Sequence, residues 1–158
     1  MRPAPLVAID PGLNSMGVAY WRSPKKEVPE KAFLLKAPRK LDLTPRALWL
    51  ARELEQQLNL SGGREHDFVC EYPAWHGSAR GWATGDLQKL VFLVGVMAGY
   101  FQAARSFTPI TPHGWKGQLG KDVVIRRLQK RFGPGATMWW EKDCWDAVGI
   151  GLWKMGRF

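Results

Sequence analysis

Residues 6–21 read LVAIDPGLNSMGVAYW: an apolar run over 6–9 ending in Asp10, a Pro11-Gly12 break, and a second β-prone run over 17–21. Two such runs across a polar connection predict an antiparallel hairpin. Working outward, residues 31–37 (KAFLLKA) supply a third strand, kept short by Pro24, Pro29 and Pro38, since proline cannot donate to a sheet ladder. A three-stranded antiparallel unit therefore comes first, and its opening strand carries a carboxylate to its end.

Further along, Thr44-Pro45 sets an N-cap residue before a proline at the first helical position. Ala47, Leu48, Ala51, Leu54 and Leu58 then recur three and four apart, predicting an amphipathic helix that Ser61-Gly62-Gly63 ends. Residues 67–70 form a buried-looking strand that delivers Glu71 before Pro73 breaks the run. Residues 86–104 are apolar almost all round, through Leu90, Val91, Phe92, Leu93, Val94, Val96 and Met97. One face suits the sheet and another a partner, so a two-fold homodimer is expected. Gly95 and Gly99 either let two copies approach or fit against the sheet of the same chain. A last short strand is expected over 108–111, a basic helix over 121–132 and a closing helix over 141–155. The pattern is α/β, with no repeat, linker or low-complexity tract, and residues 1–158 are expected to form one domain.

Lys and Arg outnumber Asp and Glu by 23 to 14, a net charge of +9. That favours a polyanionic partner, although a merely soluble basic protein or a membrane-surface binder has the same balance. Position narrows the choice, because residues 112–142 hold Lys116, Lys121, Arg126, Arg127, Lys130, Arg131 and Lys142 against only Asp122 and Glu141. Cys70 and Cys144 have neither a metal-ligand spacing nor a disulfide framework and are expected to be small buried residues. The N-terminal residues lack the pattern of a signal peptide and every apolar stretch stops short of bilayer length, so no membrane association and a cytoplasmic location are expected. Trp139, Trp140, Trp145 and Trp153 cluster near the closing helix, where core or interface roles are expected for most.

Asp10 and Glu71 each end a strand, and Asp143 and Asp146 lie three apart on a predicted helix, a spacing that shares one face. Singly, each has a mundane reading: Asp10 as a turn residue before Pro-Gly, Asp143 as a first-turn helix acid. Together they repel. A converging set needs cations, and hard oxygen ligands suit Mg²⁺ or Mn²⁺ better than zinc, with two ions a natural number.

These residues carry a family resemblance. VAIDPGLNSMGVAYW (7–21) resembles the first hairpin of RuvC-type Holliday-junction resolvases, with their D-P-G-x-x-x-x-G pattern. FVCEYPAWHGSARGWATGDLQKL (68–90) is similar to that family's strand-end Glu, following loop and long interface helix. DCWDAVGIGLW (143–153) resembles its terminal D-x-x-D-A motif, and HGWKGQLGKDVV (113–124) its lysine-bearing region. The resemblance spans roughly the whole chain. It implies an RNase H-like fold, a mixed five-stranded sheet with three antiparallel strands first, flanked by helices. It also implies a Mg²⁺-dependent nuclease that resolves four-way junctions in branched DNA, with Asp10, Glu71, Asp143 and Asp146 as catalytic metal ligands. Lys116 and Lys121 match basic positions beside the cleaved strand. After Glu71 the family uses an aromatic to stack at the junction centre, and here Tyr72, Trp75 and Trp82 compete for that part, Trp75 being the one assigned to DNA.

On this reading two bridged ions activate water, neutralise charge and assist the leaving oxygen. Asp10 would bridge both, Glu71 and Asp146 would hold one each, and Asp143 would complete a shell or orient water. Arg126, Arg127 and Lys130 would hold flanking backbone. The rivals are an actin-like nucleotide-binding domain, disfavoured by length; another nuclease of the same fold, cutting flaps or processing ribosomal RNA; and a DNA-binding relative without catalysis.

Overall fold

The computed structural model describes residues 3–74, 85–137, 140–141 and 144–158. In chain order they form β1 (Leu6–Asp10), β2 (Ser15–Trp21), β3 (Lys31–Lys36), α1 (Leu43–Leu58), a 3₁₀ turn (Ser61–Gly63), β4 (Asp67–Glu71), α2 (Asp86–Tyr100), β5 (Ser106–Ile110), α3 (Pro112–Lys116), α4 (Lys121–Thr137) and α5 (Cys144–Lys154). The five strands make one mixed sheet in the order β3-β2-β1-β4-β5. β1–β2 and β2–β3 are antiparallel, whereas β1–β4 and β4–β5 are parallel. The expected architecture, three antiparallel strands first and helices flanking, is the observed one.

Strand side chains alternate between faces, and each face has its own core. Val7, Ile9, Phe68 and Cys70 point toward α1 and α2, where Leu50, Leu54, Leu93 and Met97 close over them. Leu6, Ala8 and Val69 point the other way, under Trp115 of α3, Val124 and Leu128 of α4, and Ala147, Val148, Ile150 and Leu152 of α5. Both cysteines are buried, as expected of them. Trp145 and Trp153 belong to the second core, and Trp140 meets Trp145 edge-on with ring centroids 5.1 Å apart; Trp139 lies outside the described residues.

Several boundaries differ from expectation for identifiable reasons. α1 starts at Leu43 after Asp42, not after Thr44: the first helical bond runs from Arg46 N to the Asp42 carbonyl, 2.9 Å. Pro45 therefore sits among the first four N–H positions, which have no helical acceptor anyway. α2 stops at Tyr100 instead of 104 because Phe101, fully buried, turns its ring onto Phe68 with centroids 4.6 Å apart. α4 includes the expected basic helix and then breaks at Gly133, whose φ of 71° leaves the helical region ahead of Pro134. Among the described residues α5 runs from Cys144, with Glu141 outside it. It closes at Lys154 with paired bonds, Gly156 N to Trp153 O and Arg157 N to Leu152 O, both 2.8 Å, around Gly156 at φ 67°. That is the Schellman arrangement, and it needs a residue tolerant of positive φ. No helix among the described residues is long and apolar enough to cross a membrane.

Candidate active site

Strand alternation aims the acids. Asp10 follows Ala8 and Glu71 follows Val69 on the same sheet face, one step beyond the last paired residues Ile9↔Cys70 of the parallel strands β1 and β4. Both carboxylates thus leave the C-terminal edge of the sheet toward α5, whose first turn bears Asp146. The chain can turn sharply after Asp10 because residue 12 is glycine: a Cβ there would collide with the Ser15 carbonyl. α5 can lie flat on the sheet because Gly151 leaves room for the ring of Trp21.

The three acids feel one another. Burial pushes the Asp10 carboxyl up to about 8; Glu71 and Asp146 add to the rise, and Lys121 and Lys116 oppose it. Burial also raises Glu71, against the hydrogen bond from Trp115 and the charges of Lys116 and Lys121, with Asp146 pushing the same way as burial. Asp146 is the one buried charged residue among the described residues. Its Oδ2 stands 3.5 Å from Lys121 Nζ, and its buried Oδ1 has no hydrogen-bond partner there. An orphaned buried carboxylate oxygen is costly unless something positive meets it. Ionised together, Asp10, Glu71 and Asp146 would repel one another, and their oxygen donors are of the type that a hard divalent cation takes. Among the described residues no three His, Cys, Asp or Glu side chains stand close enough to hold a metal ion by themselves, and Asp143 lies outside them.

Of the expected site residues, Asp10, Glu71, Asp146, Lys116 and Lys121 are brought together. Arg126, Arg127 and Lys130 are exposed on the side of α4 away from Val124 and Leu128. Trp75 lies outside the described residues, as does Trp82, while Tyr72 is 38% exposed directly after Glu71. Sequence reasoning missed α3 and with it Trp115, whose Nε1–H donates to Glu71 Oε2 at 2.7 Å. The signal was present: Thr111-Pro112 repeats the cap-then-proline pattern, and Thr111 Oγ1 accepts from Gly114 N at 3.1 Å.

Fold and site define an α/β chain of RNase H-like architecture with carboxylates gathered at the C-terminal edge of its central strands. Among solved structures, it is similar to Thermus thermophilus RuvC in complex with Holliday junction substrate, with a TM-score of 0.63 and 14% identity over 96% of this chain and 92% of that one. A second Thermus thermophilus RuvC structure matches with a TM-score of 0.63 and 16% identity over 97% of each chain. No protein-family model matches the sequence, and no curated protein does.

Proposed function

We propose that residues 1–158 form one divalent-metal-dependent endonuclease domain that cuts branched DNA, with the four-way junction as its preferred substrate. The observation that carries this reading is the joint placement of Asp10, Glu71 and Asp146 at one edge of the sheet, with Asp146 Oδ1 buried and unmet among the described residues. The likeness in fold to a resolvase that has been seen with junction DNA supports the choice of substrate.

Asp10, Glu71 and Asp146 would hold Mg²⁺, or Mn²⁺ in its place, with Asp143 joining them. Bound in pairs, such ions supply an activated water, charge neutralisation at the phosphate and help for the leaving oxygen. The chain's own residues do the rest. Asp10 would have to be ionised to serve as a ligand, Lys116 and Lys121 bring positive charge beside the carboxylates for the scissile phosphate, and Arg126, Arg127 and Lys130 would grip neighbouring phosphates. A homodimer through α2 would present two such sites to two strands, and the cytoplasm is the proposed setting.

The test is to incubate the chain and Mg²⁺ with matched four-way, flap, linear duplex and RNA–DNA hybrid substrates. Paired nicks in the four-way junction are expected, and Asp146→Asn should abolish them while junction binding persists. Equal cutting of linear duplex overturns the junction preference; preference for a flap or hybrid moves the chain to another nuclease of this fold. Binding with no cutting in either Mg²⁺ or Mn²⁺ leaves a DNA-binding relative without catalysis.

A further inference from the structure

Trp115 is 3% exposed, and its part-buried hydrogen bond to Glu71 Oε2 is charge-assisted when Glu71 is ionised. The ring is held on several sides. Gly149 of α5 lies against it, where a Cβ would come within 2.5 Å of Cζ3 and 3.0 Å of Cη2. Phe158 meets it edge-on at 5.3 Å between centroids, and Lys116 Nζ stands 4.9 Å from the ring centroid. An indole has a single N–H donor and no acceptor. It can therefore engage one oxygen of Glu71 and cannot turn to follow the carboxylate.

We propose that Trp115 is a positioning residue that, by holding Glu71 through Oε2, fixes the orientation of its carboxylate and presents Oε1 to a cation, so that the site selects a small octahedral ion over a larger one. The proposal rests on the carboxylate reading above and adds to it the source of metal selectivity. Mg²⁺ demands near-octahedral geometry, whereas Ca²⁺ readily takes both oxygens of a carboxylate. The bond from Trp115 takes one of the two lone pairs of Oε2 and pins the plane of the carboxylate, and a pinned carboxylate is poorly suited to swing into the both-oxygen grip of Ca²⁺. Partners behind a ligand commonly govern metal affinity, their loss costing roughly 10–100-fold. A merely structural Trp115 would affect stability and leave the preference among ions alone.

The experiment titrates the whole chain with Mn²⁺ by electron paramagnetic resonance and measures Mg²⁺ and Ca²⁺ by competition, alongside thermal melts. Trp115→Phe removes the N–H but shortens the ring. Trp115→benzothienylalanine, with sulfur in place of the N–H, keeps the shape and guards against a variant that fails to fold. The expected result for the folded variants is roughly 10-fold weaker Mn²⁺ and Mg²⁺ binding, with Ca²⁺ changed less, so that the Mg²⁺ preference narrows. An unchanged Mg²⁺-to-Ca²⁺ ratio in the isosteric variant overturns the role of Trp115 alone. Wild-type protein that binds no Mn²⁺ overturns the carboxylate reading and this proposal with it.

Discussion

Asp10 holds its proton at neutral pH in the metal-free protein, because burial, Glu71 and Asp146 push its carboxyl up to about 8 against the pull of Lys121 and Lys116. An acid whose folded pKa exceeds its unfolded value binds more protons when folded. Its contribution to stability is therefore greatest at low pH and is lost as pH rises from about 4 through about 8. Melts in a chelating buffer between about pH 5 and pH 9 should show the wild-type Tm falling. Asp10→Asn should fall less, since Glu71 retains its own raised value, and should melt on the order of 5 °C higher than wild type at the alkaline end, about 2 kcal/mol for a chain of this size. Added Mg²⁺ should raise the wild-type Tm most at high pH and leave the Asn variant nearly unmoved. Parallel curves for the two proteins would show that Asp10 is not the buried acid described.

At the scale of elements, the closeness of α5 to the sheet sets where Asp146 stands. A Cβ on Gly151 would run into the ring of Trp21, which is 1% exposed and tied by Nε1 to the Glu27 carbonyl at 3.0 Å. Gly151→Ala should cost about 1–3 kcal/mol as an overpacked contact and, by lifting α5, weaken metal binding as well; an unchanged Tm would mean the helix does not rest there. Such contacts were not legible in the sequence, whereas the hairpin around Asp10, the helix over Ala47 to Leu58 and the strand into Glu71 were, because local periodicity encodes them. α3 escaped because five residues are too few for a helical period, so its cap alone announced it. Trp115's hold on Glu71 spans 44 residues of sequence, a separation that local pattern cannot bridge. The basic helix of α4 was legible, and the structure adds its face: Val124 and Leu128 turn inward, leaving Arg126, Arg127 and Lys130 exposed. Reversing those charges should weaken binding to all DNA alike and reduce the salt slope by roughly 2–3, one phosphate contact each. An unchanged slope in filter-binding or anisotropy titrations would move the DNA path off α4.

For the whole molecule, the question is what covers α2. Leu93, Val94 and Met97 are buried against the first core, with Leu90 and Val96 packed beside them, while Phe92 remains 40% exposed. The two readings open for Gly95 and Gly99 separate here: among the described residues a Cβ at either meets nothing within 4 Å, so neither fits against its own sheet. Both are exposed, which is what close approach by a second copy would need. A two-fold axis along this face would put the same patch on both protomers and turn two carboxylate edges toward two strands of a symmetric junction. Phe92→Lys should then yield a folded monomer with intact Mn²⁺ binding, since the side chain already faces water in one protomer, and with a Tm that no longer rises with protein concentration as a dimer's does. Val96→Lys should instead damage the fold, because that side chain is packed against the core. The Phe92 variant should nick junctions singly, losing the coupling between incisions, which a cruciform plasmid assay reads as nicked circles in place of linear product. Sedimentation that finds wild-type protein monomeric at micromolar concentration, even with junction DNA bound, would remove the paired-cut mechanism while leaving the carboxylate site untouched.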